Sequence, residues 1–145
     1  MSGPPFRNGV RSATRVITRM PTGSRQALEA ARAMVDGMTR LNGELAGELK
    51  APLRIGIGIH AGPGVVGWMG WGESFYLTAV GDTVHVAARL EQATKDFHAE
   101  LVVSEDVARY AGLDLSTFPG HDLTVHNRAS SVRVRVIEHV ARLNL

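Results

Sequence analysis

The chain has 145 residues, a length that suits one domain with a real core. It contains no cysteine, which excludes a disulfide framework and any thiolate metal site. No apolar run approaches the roughly 18 residues that span a bilayer, and the N-terminus has no apolar signal core, so the expected setting is cytoplasmic, without a membrane span. Net charge is +2, but residues 1–22 hold four of the sixteen basic residues and no acid, which leaves the rest with twelve against fourteen acids.

Arg7, Arg11, Arg15 and Arg19 recur every fourth residue and would form a basic stripe on a helix. Pro4-Pro5 and Pro21 bracket them and no apolar face opposes them, so residues 1–23 are expected as a solvated, partly disordered tail. Nothing here reads as a nucleic-acid partner. From Ser24 to about Lys50, Ala27, Ala31, Met34, Met38, Leu41 and Leu45 alternate spacings of four and three, the stripe of a helix, which Pro52 would stop. The charged residues between them are read as a wet face.

Leu53 to His60 alternates apolar residues with Arg54, Gly56, Gly58 and His60, the period of a strand whose glycine face admits another backbone or a ligand. Gly62-Pro63 is read as a turn returning the chain as a strand over Val65 to Met69, and Phe75 to Val80 as a third strand. Thr83 to Phe97 is a helix with Val86, Leu90, Ala93 and Phe97 on its apolar face and Asp82 as N-cap. Glu100 to Val103 is a short strand, Ser104 to Tyr110 a capped short helix, and Asp122–Val125 with Val132–Val140 a terminal hairpin bending at His126-Asn127-Arg128.

Gly62-x-Gly64-x-x-Gly67 matches the spacing of a dinucleotide fingerprint, but that motif needs a helix to start within it, and Val65 to Met69 read as strand. There is no Walker-type loop, no Gly-x-Ser-x-Gly elbow and no His-Glu-x-x-His pair. His60 and Trp68 are assigned to turn and core packing. His85, Arg89, Gln92 and Asp96 share one polar face of the second helix, a pattern that spacing alone reads as an ordinary solvated face rather than a site.

Gly81-Asp82-Thr83-Val84-His85-Val86-Ala87-Ala88-Arg89-Leu90-Glu91, entered from an alternating strand and a glycine-rich turn, resembles the class III nucleotidyl cyclases, which make cyclic AMP or cyclic GMP. The resemblance runs from about Ser24 to Leu143. It implies an α+β, ferredoxin-like nucleotidyl cyclase fold, truncated at its N-terminus, with a partial catalytic domain over residues 24–143. It also implies that Arg89 steadies charge on the phosphoryl group in the transition state. His85 stands where the family usually has asparagine, Thr78 at a position that contacts the purine, and Arg54 at an arginine that binds the triphosphate. His126-Asn127-Arg128 replaces a Lys-Gly-Arg-like turn, leaving Arg128 as the surviving cation and His126 in the lysine's place.

Threonine at position 78 resembles the adenylyl cyclases of the family, which implies ATP. The family's cofactor is Mg²⁺ or Mn²⁺, held by two aspartates on earlier strands, and residues 1–23 contain no acid to supply them. The expected function is therefore an adenylate cyclase catalytic domain, inactive alone, whose partner is a second copy or a complete cyclase subunit. The competing reading is a non-catalytic cyclase-like module that binds nucleotide or dimerises. Loss of the family's first strand should leave unpaired sheet edges, and Thr14 to Thr18 is the stretch expected to cover one.

Overall fold

The structure, a computed structural model, describes residues 10–14, 20–126 and 129–145. Among these, in chain order, are β1 (Val10–Thr14), α1 (Met20–Glu44), β2 (Ile57–Ile59), β3 (Val65–Trp71), β4 (Ser74–Val80), α2 (Asp82–Asp96), β5 (Leu101–Ser104), α3 (Glu105–Ala111), β6 (Gly120–Leu123) and β7 (Val132–Ile137), followed by a 3₁₀ turn at Val140–Arg142. The strands form two sheets. One is mixed, in the order β2-β5-β7-β6, with β2 parallel to β5; the other is antiparallel, β1-β3-β4.

The mixed sheet holds the core. β5 is buried along its whole length, as an unbroken Leu-Val-Val run requires when both faces of a strand are covered. Leu101 and Val103 join Leu28, Ala31 and Val35 of α1, Val107 of α3, Ile137 and Val140 on one side. Val102 joins Val86, Leu90 and Ala93 of α2 with Val132, Val134 and Val136 of β7 on the other. Arg32 ties α1 to the chain's end by donating to the carbonyls of Ala141 and Leu143, at 3.0 and 2.9 Å. It is thus not part of the wet face expected of it.

Several expectations shift. Of the predicted α1 stripe only Ala31 is buried; the docked face is Ser24, Leu28, Ala31 and Val35, and Met34 is half exposed. Both sets fit a 3.6-residue period, and the contact with α3 and β5 selects between them. Pro21 lies inside the first turn of α1, where its missing N–H costs nothing, and the helix ends at Glu44 between Gly43 and Gly47 rather than at Pro52. β6 begins earlier than expected, and β7 ends at Ile137 because Val140 turns into the core.

The predicted strand over Leu53–His60 shrinks to Ile57–Ile59, since only those residues face a partner strand, Leu101–Val103. Nor does β2 return on β3. The real hairpin is β3–β4, which closes through Gly72 at φ 61° with Trp71 opposite Ser74. Val10–Thr14, in the segment expected as tail, pairs with β3, so Arg11 is in a strand. Arg7, Arg15 and Arg19, together with residues 15–18 of the expected edge stretch, fall outside the described residues.

The predicted glycine face of β2 is real, and what approaches it is α2. A Cβ on Gly58 would lie 2.5 Å from the Ala87 carbonyl oxygen and 2.9 Å from Glu91 Cα, and one on Gly56 would strike the Thr94 hydroxyl. The obstruction at Gly58 is backbone and cannot rotate away. Gly58→Ala should therefore cost about 2–3 kcal/mol in a denaturant titration. His98, just past α2, is the one non-glycine residue at positive φ among those described, at 52°. His98→Gly should raise stability by about 1 kcal/mol by the same measurement, because glycine meets no Cβ penalty there.

Candidate functional site

Gly81 is the hinge on which the site is built. Its φ of 139° turns the end of β4 directly into α2, and it serves as the helix N-cap, so Asp82 is the first helical residue rather than the cap predicted. The Asp82 carboxylate still lies in the first turn, where the positive helix end favours it. Thr83 ties the turn down by donating its hydroxyl to the Pro63 carbonyl. The Cβ that Gly62 lacks would collide with that same hydroxyl at 2.6 Å. The loop before β3, the end of β4 and the start of α2 thus form one tight junction.

Three of the predicted residues leave this junction together. Thr78 lies three residues before Gly81 on β4, opposite Gly67 of β3, and its hydroxyl donates to the Tyr76 carbonyl at 3.2 Å. His85 is exposed one turn into α2 and makes no hydrogen bond among the described residues. Arg89, a turn further, is about one-third exposed, with Nη1 3.8 Å from Asp96 Oδ2. That long, solvated contact holds the guanidinium weakly. The face carries an exposed imidazole and a loosely tethered cation, and can meet an anionic group brought to it from outside.

Arg54 is elsewhere. β2 runs antiparallel to α2, with Gly62 at Thr83, Gly58 at Ala87 and Glu91, and Gly56 at Thr94. Arg54 therefore sits beside the far end of the helix, lining a cleft with Thr94, Lys95 and His98. Lys95 is ten residues beyond His85, about 15 Å along the axis. His126 is exposed in the turn three residues after β6, and Arg128 lies outside the described residues. The structure brings Thr78, His85 and Arg89 onto one connection and leaves Arg54 at the other end of α2.

Lys95 and His98 escape a reading of the sequence alone. The signal for them is the glycine face itself, since a helix pressed antiparallel onto Gly56 and Gly58 must carry its last turn to Arg54. His60 is also more engaged than turn packing suggests: its Nδ1 is hydrogen bonded at 2.8 Å to the fully buried Ser104 hydroxyl, linking the end of β2 to the start of α3. The Ser116 hydroxyl and N–H hold the Asp114 carboxyl below the usual range, in the loop after α3 and away from the face that carries His85 and Arg89. No three His, Asp or Glu side chains among the described residues converge to hold a metal.

A sequence profile described as the adenylate and guanylate cyclase catalytic domain matches residues 12–136. An adenylate cyclase of Anabaena cylindrica is 36% identical over 87 residues, which is 57% of this chain and 17% of that protein. Adenylate cyclase 1 of Rhizobium meliloti (strain 1021) is 47% identical over 51 residues, 35% of this chain and 8% of that protein. The chain thus spans less than a fifth of the length of these relatives. Among solved structures, the adenylyl cyclase CyaB from P. aeruginosa superimposes with a TM-score of 0.67 at 22% identity, covering 89% of this chain and 65% of that one. The guanylyl cyclase Cya2 gives 0.59 at 20% identity, covering 81% and 57%. A profile match over most of the chain, on the α+β fold those structures share, places this protein in the adenylate and guanylate cyclase catalytic domain family.

Proposed function

We propose that this chain supplies the purine-recognising and transition-state half of an adenylyl cyclase site, for conversion of ATP to 3′,5′-cyclic AMP and pyrophosphate in intracellular signalling. The observation that carries the reading is the β4–Gly81–α2 connection, which presents Thr78, His85 and Arg89 from one junction. Adenine follows from Thr78 and agrees with the adenylate cyclases among the relatives. In the reaction the ribose 3′ oxygen bonds to the α-phosphorus, the bond from that phosphorus to the bridging oxygen breaks, and pyrophosphate leaves. Arg89 places a fixed cation against the charge that spreads over the phosphoryl oxygens. His85 offers a ring N–H where an asparagine amide would donate.

Divalent Mg²⁺ or Mn²⁺, where bound in the family, activates the attacking hydroxyl and neutralises the triphosphate. No role assigned to this chain runs through those ions. In this reading the metal ligands come from residues other than those described, such as those of a complete cyclase subunit. The separation of Arg54 from His85 along α2 supports a site assembled from two chains, each giving one end of its helix. The β1-β3-β4 sheet supports a partner too. Trp71 is 84% exposed and Tyr76 69% on one face of that sheet, and Leu77 63% on the other. No helix among the described residues is long and apolar enough to cross a membrane, in keeping with a cytoplasmic site of action.

The second reading, a non-catalytic cyclase-like module that binds nucleotide or dimerises, draws on the Arg89–Asp96 contact and on the missing carboxylate cluster among the described residues. One experiment separates the two. Purified chain alone should make no cyclic nucleotide from ATP or GTP with either metal. Mixed with a complete cyclase that has lost its own transition-state arginine, it should yield cyclic AMP, with ATP preferred over GTP. Turnover by the isolated chain would mean the metal site is misplaced, and silence in the mixture would leave the non-catalytic reading standing.

Within the complemented enzyme, Arg89→Ala should lower kcat by about 10²-fold or more while KM changes little, because the cation acts on charge that exists only in the transition state. His85→Asn should keep or raise activity. A kcat for Arg89→Ala within about threefold of the parent, under about 1 kcal/mol of barrier, would make this face a solvated surface.

A further inference from the structure

A cleft of about 430 Å³ opens at the end of the mixed sheet, where the residue after α2, the loop before β6 and the residues after β7 meet. None of its residues belongs to the face that carries His85 and Arg89. Its volume suits a small organic ligand. Val136 of β7, itself buried, gives it apolar surface together with Phe97, and the Phe97 and His121 rings touch with centroids 4.5 Å apart. Hydrogen bonds within the fold hold this lining in place. The Pro119 carbonyl accepts from the Val136 N–H at 2.9 Å, the Phe118 carbonyl accepts from Arg135 Nη1 at 3.0 Å, and the Phe97 N–H donates to the Ala93 carbonyl at 3.0 Å. The cleft is therefore shaped before any ligand arrives.

One carboxylate and one guanidinium line the same cleft, from Glu138 just after β7 and Arg142 in the 3₁₀ turn. Neither is committed within the fold. Arg142 makes no ion pair among the described residues, with Glu138 or with any other acid. Glu138 has the His139 ring 3.7 Å from its Oε1, and with the two side chains 67% and 61% exposed that contact is worth little in water. The rest of the lining carries no carboxylate, ammonium or guanidinium. A ligand matched to it therefore has an apolar body with one group of each charge. A bare carboxylate would be repelled by Glu138, and a bare amine by Arg142.

We propose that this cleft binds a free aromatic α-amino acid, its carboxylate toward Arg142, its ammonium toward Glu138 and its ring against the Phe97–His121 pair. The planar fork of Arg142 takes a carboxylate through two parallel N–H···O bonds, and Glu138 accepts from the ammonium. An aromatic ring gains tilted or edge contacts with Phe97 and His121 that an aliphatic side chain lacks. Phe97 lies twelve residues beyond His85, about 18 Å along the helix axis. The cleft is thus a separate small-molecule site, and it stands independently of the cyclase reading.

The test is an NMR titration of the isotope-labelled chain with phenylalanine, phenylpropionate, phenethylamine and alanine. Phenylalanine should shift the amides of Phe97, Phe118, His121 and Val136 saturably, with a dissociation constant on the order of 1 mM or below, the range open to a ligand of about a dozen heavy atoms. Phenylpropionate and phenethylamine, which each lack one charge, and alanine, which lacks the ring, should bind about tenfold more weakly. Arg142→Gln and Glu138→Gln should each weaken phenylalanine binding by about tenfold as well. Both side chains are exposed, so that loss cannot be put down to unfolding. No saturable shift up to about 20 mM phenylalanine, an equal affinity for phenylpropionate, or an unchanged affinity in Arg142→Gln and Glu138→Gln would overturn the proposal.

Discussion

The contact between the α2 backbone and the side-chain-free face of β2 is what the rest of the molecule depends on. Gly56 and Gly58 remove the Cβ layer that normally keeps a helix about 10 Å from a sheet, and the last turns of α2 settle almost onto the strand. Leu90, Val86 and Ala93 then reach Val102 and the valines of β7 and complete one of the two core clusters. Burial of a side chain such as Leu90, fully enclosed here, contributes about 2–3 kcal/mol. The same contact leaves α2 with a buried side and a free side, and the free side carries His85 and Arg89.

The antiparallel run of β2 against α2 also divides the functional groups. The first turns of α2, next to the β4 junction, carry His85, while Arg89 sits at mid-helix with its guanidinium 3.8 Å from Asp96 in the last turn. Its last turn, next to the segment clamped by Asn42, gathers Arg54, Lys95 and His98 around a separate cleft. A helix 15 residues long cannot bring its two ends to one small ligand. The antiparallel β1-β3-β4 sheet keeps Trp71 and Tyr76 open to solvent on one face and Leu77 on the other.

Much of this is legible in the residue order. The period-2 stretch with glycines on one face announces a close approach, and α2 supplies it. The apolar stripe of α2 is legible at Val86, Leu90 and Ala93, because the periodicity there admits one buried face. The α1 stripe is not, since Ala27, Met34 and Met38 compete with Ser24, Leu28 and Val35 for the same period, and the choice belongs to the surface against which the helix docks. Strand length fails for a related reason. Leu53–Gly56 have strand composition, but composition provides no hydrogen-bonding partner.

By itself the sequence determined the turn at Gly81, the helix it starts, the residues displayed on that helix and the family they resemble, because all of these rest on interactions within a few residues of one another. Only the tertiary structure decided that β3 pairs with β1 rather than with β2, that Arg54 lies at the far end of α2 from His85, and that Lys95 and His98 stand beside Arg54. Those are contacts between segments far apart in the chain. They depend on which surfaces are buried against each other, and local periodicity does not encode that choice.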